Sequence, residues 1–168
     1  MPRSTRPRKA YRPRTVAANA VQLALNNVHQ LARQDVRGQA ELLRTALAEF
    51  QRGQHGGQHW RSLADAANMA ETLATMGIGS GHDAQRIIQR AQQALHDVAL
   101  RHRQRGTWAL HHDELDALQW LLRLHSTQLE ACDYSEFNRA MGHTQNRIAQ
   151  ARAGNAPAGA VVVRGDIG

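Results

Sequence analysis

Apolar side chains recur at steps of three and four through most of this 168-residue chain. The strongest run spans 108–132, where Leu115, Leu118, Leu122, His125, Leu129 and Cys132 fall on one stripe of a helix. Trp120 and Leu121 widen that stripe until little of the surface is polar, which predicts a covered helix at the centre of a bundle. Asp113 is the expected cap, and Glu114 and Asp116 suit the positive end of the helix dipole. Upstream, Thr15 can start a long pattern: Val21, Leu25, Val28, Ala32 and Val36, continued by Ala40, Leu43, Leu47 and Phe50. Gly38 interrupts it and predicts two nearly collinear segments, 16–37 and 39–52. One straight helix of that length would span about 55 Å at the usual rise per residue. That is more than a small bundle needs, and it points to a homodimer or a partner groove.

Gly53, Gly56 and Gly57 predict a loop. Trp60, Leu63, Ala67, Ala70, Leu73 and Met76 then share a helical face that Gly77 can close. Ser80 or Asp83 can cap the next helix, whose face is Ile87, Ala91, Leu95 and Val98, with Ile88 beside it, and which stops at Gly106. Asp133 and Glu136 form a capping box ahead of a last helix carrying Tyr134, Phe137, Met141, Thr144, Ile148 and Ala151.

Composition strengthens the helical reading. Aromatics are only 4% of the chain, so the core must be mostly Leu, Ala, Val and Met, which favours helix over sheet. All four prolines lie near the ends, at 2, 7, 13 and 157, and helix interiors exclude proline. The expectation is an all-α chain: a single helical bundle of five to six helices over 15–153, a basic disordered arm over 1–14 and a short flexible tail over 154–168. Its core would include Leu25, Val28, Leu43, Leu47, Trp60, Leu63, Leu73, Ile87, Leu95, Leu115, Leu118, Leu122, Leu129 and Phe137.

Charge adds something the pattern lacks. Residues 1–34 hold seven of the 21 basic side chains and none of the 14 acidic ones, so the net charge of +7 belongs to this end and the rest is balanced. Arg3, Arg6, Arg8, Lys9, Arg12 and Arg14 surround Tyr11 in a segment that could meet phosphates or an acidic partner, with Tyr11 stacking on a base or an arginine plane. Arg101, Arg103 and Arg105 would extend that track from the end of a helix. The single cysteine, Cys132, lies on the apolar stripe and reads as a small buried hydrophobe. No apolar run has membrane-spanning length and no secretory segment is visible, so a cytoplasmic protein without a membrane partner is expected.

Candidate chemistry is sparse. His55 and His59 are four apart but in a glycine-rich loop, and His111 and His112 precede Asp113 and Glu114 without a zinc-binding pattern. The histidines therefore read as solvated, with His125 on the core stripe holding one hydrogen-bond partner, and neither a metal nor a cofactor is expected. The glycines at 77, 79 and 81 lack the lysine of a phosphate loop, and the RGD at 164–166 reads as chance.

YRPR at 11–14, HWRSLADAANMAETL at 59–73, RGTWALHHDELDALQWLLRLH at 105–125 and LEACDYSEFNRA at 129–140 resemble a family of small uncharacterised proteins encoded by phages and prophages of proteobacteria. The resemblance runs from the arm to about residue 152. It implies no catalytic or binding residue, only an accessory protein acting inside a bacterial cell. The reading is a non-enzymatic protein that binds a host or phage protein, an anti-defence inhibitor being one form. The alternative is a nucleic-acid binder using the arginine-rich arm, and the third is a metal-dependent enzyme using His111, His112 and Asp113.

Overall fold

The computed structural model describes residues 33–53 and 56–154, and among these it is an all-α bundle with no strand. Five helices follow one another: α1 (Arg33–Gln51), α2 (Gly56–Thr75), α3 (Ala84–Arg105), α4 (His112–Ala131) and α5 (Tyr134–Arg152). The expected arm 1–14, the helical pattern 16–32 with Leu25 and Val28, His55, and the tail beyond Gly154 lie outside the described residues.

The centre of the bundle is α2, not the 108–132 stretch. It packs against all four other helices, whereas α4 packs on α1, α2 and α3. The reason is side-chain size. Ala64, Ala66, Ala67 and Ala70 bury faces of α2 that point to different neighbours, and alanine lets helices approach closely without losing helix propensity. The larger side chains Trp60, Leu63 and Leu73, each essentially buried, fill the space between. Trp60 keeps its indole N–H satisfied by donating to Leu95 O at 2.9 Å. Burial of each such side chain is worth roughly 1.5–3 kcal/mol.

Three local expectations need correction. First, α1 runs unbroken through Gly38, which faces open solvent with nothing near its missing Cβ. Second, α2 begins at Gly56, inside the expected loop, because only a hydrogen fits there. A Cβ on Gly56 would lie 2.2 Å from Trp108 Cγ. Third, Trp120 is 53% exposed, with the Arg123 guanidinium 5.0 Å from its ring centroid, and Leu121 takes the core position instead. A similar small rotation makes Ile88, rather than Ile87, the buried residue of α3.

The helix ends follow their sequence signals closely. Gly77 adopts φ +87°, its N–H donates to Ala74 O, and Ile78 N–H donates to Leu73 O, closing α2 with a Schellman motif. Gly106 does the same job for α3 at φ 68°, donating to His102 O at 2.7 Å. Asp83 holds the N-cap position of α3 but spends its carboxylate on Arg86 at 2.8 Å. Before α4 the cap is His111 rather than Asp113, with its backbone N–H donating to Glu114 at 2.7 Å. At α5 the capping box is present as read: Glu136 N–H donates to Asp133 at 2.7 Å, and Asp133 N–H donates to Glu136 at 3.0 Å.

Candidate functional site: an open groove between α1, α2 and α5

The last helix is docked mainly on α2 and mainly by polar groups. Arg147 reaches Glu71 at 2.5 Å, and Glu71 also accepts from Gln92 of α3 at 2.8 Å. Thr144 Oγ1 sits 2.8 Å from both Thr72 Oγ1 and Ala140 O, and Arg147 donates a second bond to Thr72 at 3.2 Å. Only Ala140, Thr144 and Ala151 of α5 are buried. Its larger apolar residues are therefore left partly uncovered: Phe137 and Ile148 half-buried, Met141 38% exposed.

Those residues face α1 across a groove of about 710 Å³. Leu42, Leu43 and Ala46 of α1 form the opposite wall, and Ala66 and Met69 of α2 lie at its base. Leu42 is 72% exposed, although it is a large apolar side chain on a helix that otherwise turns its apolar residues inward. Two acids also line the groove: Glu49, 2.7 Å from His59 Nε2, and Asp65, whose pKa is raised by partial burial with Arg152 opposing. The groove thus combines apolar walls with acids that already face cationic or imidazole partners.

His125 of α4 also lines it. The ring is 2% exposed and Nδ1 has no hydrogen-bond partner. Its pKa is pushed down to about 4, first by burial, with the Gln128 amide opposing. Gln128 is the one partner of this histidine, and Nδ1 has none. Gln128 spends its own amide N–H groups on Ala70 O at 3.0 Å and Ile78 O at 3.2 Å, bracing the turn after α2, and its Oε1 is unpaired.

The residues singled out in the sequence are scattered. Arg3, Arg6, Arg8, Lys9, Tyr11, Arg12 and Arg14 lie outside the described residues. Arg103 and Arg105 are exposed at the end of α3, but Arg101 turns inward. Its guanidinium meets Glu114 at 2.5 and 3.2 Å and Ala109 O at 2.5 Å, tying the end of α3 to the start of α4. His111, His112 and Asp113 do not converge. His112 leans on Asp116 at 3.6 Å, and no group of three or more His, Cys, Asp or Glu that could hold a metal ion occurs among the described residues. Cys132 is buried, and its thiol is pushed up to about 11, chiefly by that burial. No described helix is long and apolar enough to cross a membrane.

The groove itself was not read from the sequence. Its signal was present in two places: Leu42 stands off the α1 stripe, and Phe137, Met141 and Ile148 form a stripe without enough small residues to pack flush. No protein-family model, curated protein or solved structure matches this chain.

Proposed function

We propose that this chain is a non-enzymatic protein-binding module, a phage-derived accessory protein that holds a host or phage protein in the bacterial cytoplasm, with blocking of a host defence as one use. The carrying observation is the open apolar groove between α1 and α5, with Leu42 and Met141 on its rims and His125 lacking a partner at Nδ1. Such a groove suits an amphipathic helix laid in by its apolar face. The phage setting rests on the sequence resemblance.

The test is capture from bacterial lysate by the intact chain and by Met141→Glu. A stoichiometric partner retained by the first and lost by the second, with equal melting temperatures, supports the reading. Equal capture by both moves the binding face elsewhere.

Nucleic-acid binding is the second reading, favoured by six basic residues within 1–14 and by the exposed Arg103 and Arg105. Contacts to phosphate would make affinity fall steeply with salt. Removing residues 1–14 should then abolish binding of a short DNA duplex and flatten the salt dependence. Unchanged binding by the remainder would rule out the arm.

A further inference from the structure

A second groove, of about 540 Å³, runs between α1 and α4. It uses the opposite face of α1 and shares no described residue with the groove beside α5. Its floor is apolar. Leu47 and Leu122 are 6% and 8% exposed, and Leu115 is half-buried. Along α4 the lining runs from Leu115 to Thr127, about 18 Å at the usual rise, or room for about three turns of a helix laid beside it.

The rims carry charge of one sign. Arg44 of α1 and Arg123 of α4 line the groove, and no Asp or Glu does so among the described residues. The other polar side chains there are glutamine, serine and threonine. Arg123 is exposed and meets no acid among the described residues. Its guanidinium rests 5.0 Å from the centroid of the exposed Trp120 ring. That contact holds the cation at the rim without neutralising it. Arg44 has Glu41 at 3.3 Å, but the two side chains are 65% and 72% exposed, and a pair so open to water binds its members weakly. The charge argument therefore rests on Arg123, and Arg44 adds to it.

The combination discriminates among occupants. A second copy docked through this same face would gather the arginines of both copies in one interface, with no lining acid to offset them. Nucleic acid would meet the arginines with phosphate, but its sugar–phosphate backbone gains nothing from a leucine floor. A helix with apolar anchors every three or four residues and carboxylates flanking them satisfies floor and rims together. Trp120 beside the groove is an aromatic anchor of the kind that concentrates binding energy. We infer that the α1–α4 groove binds an acidic amphipathic helix of a partner protein, with its apolar stripe on Leu47, Leu115 and Leu122 and its carboxylates against Arg123 and Arg44. This surface goes beyond the groove between α1 and α5, and the two can be filled at once because they lie on opposite faces of α1.

Two synthetic amphipathic helical peptides test it. They share length and leucine positions, and one carries glutamate where the other carries lysine. Each is titrated into the isotopically labelled full-length chain, whose amide shifts report both the place and the strength of binding. The glutamate peptide should shift α1 and α4 amides around Leu47, Leu115 and Leu122. Arg123→Glu should weaken it at least about tenfold, and Arg44→Glu should weaken it less. Both substitutions fall on exposed side chains, and the unchanged spectrum elsewhere will show that the bundle persists. Met141→Glu, in the other groove, should leave the affinity as it was, so failure here is separable from failure of the reading above. Equal binding of the lysine peptide overturns the inference. So does a glutamate peptide that fails to saturate by about 1 mM, or one whose shifts fall around Met141 instead. A short DNA duplex that shifts these same amides and displaces the peptide would give the face to nucleic acid and overturn it as well.

Discussion

Gly56 and Gly38 show how one residue type carries opposite meanings. A Cβ at Gly56 would run into Trp108, which stacks on His102 at 3.9 Å and tilts against Phe50 and Trp60 at 5.9 and 6.1 Å. Gly56→Ala should therefore destabilise by about 1–3 kcal/mol, as overpacking does, and urea unfolding will read it. Gly38→Ala, in open helical surface, should stabilise by about 0.5–1 kcal/mol. Equal signs for the two would contradict this account. His125 makes a pH prediction. Its folded pKa of about 4 lies below the ordinary imidazole value of 6.5, so the unfolded chain takes up a proton first as acid is added. The stability it contributes is complete above about pH 6.5 and drains as pH falls toward 4, roughly 3 kcal/mol in all. In His125→Leu the drop in urea midpoint between pH 7 and about pH 4.5 should be smaller than in the parent. An undiminished drop would mean that other groups carry the acid sensitivity. The raised pKa of Cys132 predicts a thiol that ignores alkylating reagents at neutral pH until the chain is unfolded. Rapid labelling of the native protein would show the site to be open.

Helix ends and helix faces differed in how well they could be read. Gly77, Gly106 and the Asp133–Glu136 box are local chemistry, so the sequence signal and the observed hydrogen bonds coincide. Faces depend on neighbours. Trp120 belongs to the apolar pattern of α4 yet stands in solvent, because Leu118, Leu121 and Leu122 already fill the space toward α2 and α3. The same dependence hid the role of Arg101. In the sequence it is one of three basic residues at a helix end, but the fold brings Glu114 beneath it. Arg101→Met should leave Glu114 without its partner and cost about 3 kcal/mol. The double variant Arg101→Met, Glu114→Gln should recover part of that loss, because a glutamine can still accept from His111 N–H, and a double variant that loses the sum of the two single losses would mean the pair is not coupled. The groove was least legible of all, since it is a gap between helices far apart in sequence. Its marks in the sequence, Leu42 off the α1 stripe and the run Phe137, Met141 and Ile148, gain meaning only once the fold sets them face to face.

Across the bundle, stability should be graded. α2 buries residues on all sides, whereas α5 holds to it through a short polar network around Glu71, Thr72 and Arg147. Amides of α5 should exchange by local opening well before those of α2, which should follow global unfolding. Identical protection in the two helices would show that α5 is part of the central cooperative unit. The groove lies between the firm helix and the loosely held one, so a ligand can adjust its width by moving α5 alone. Architecture was the most legible property: an all-α bundle follows from the spacing of leucines and alanines and from the confinement of proline to the ends. The identity of the central helix was not, because small residues signal centrality only once their neighbours are known. The three tryptophans occupy three distinct surroundings: Trp60 enclosed, Trp108 half-covered at the Gly56 end, and Trp120 on the outside. The chain therefore carries its own optical reporters. Acrylamide should extinguish the emission of Trp120 first, the indole at 108 should register loosening of that end of the bundle, and the colour of Trp60 should shift only when the interior meets water.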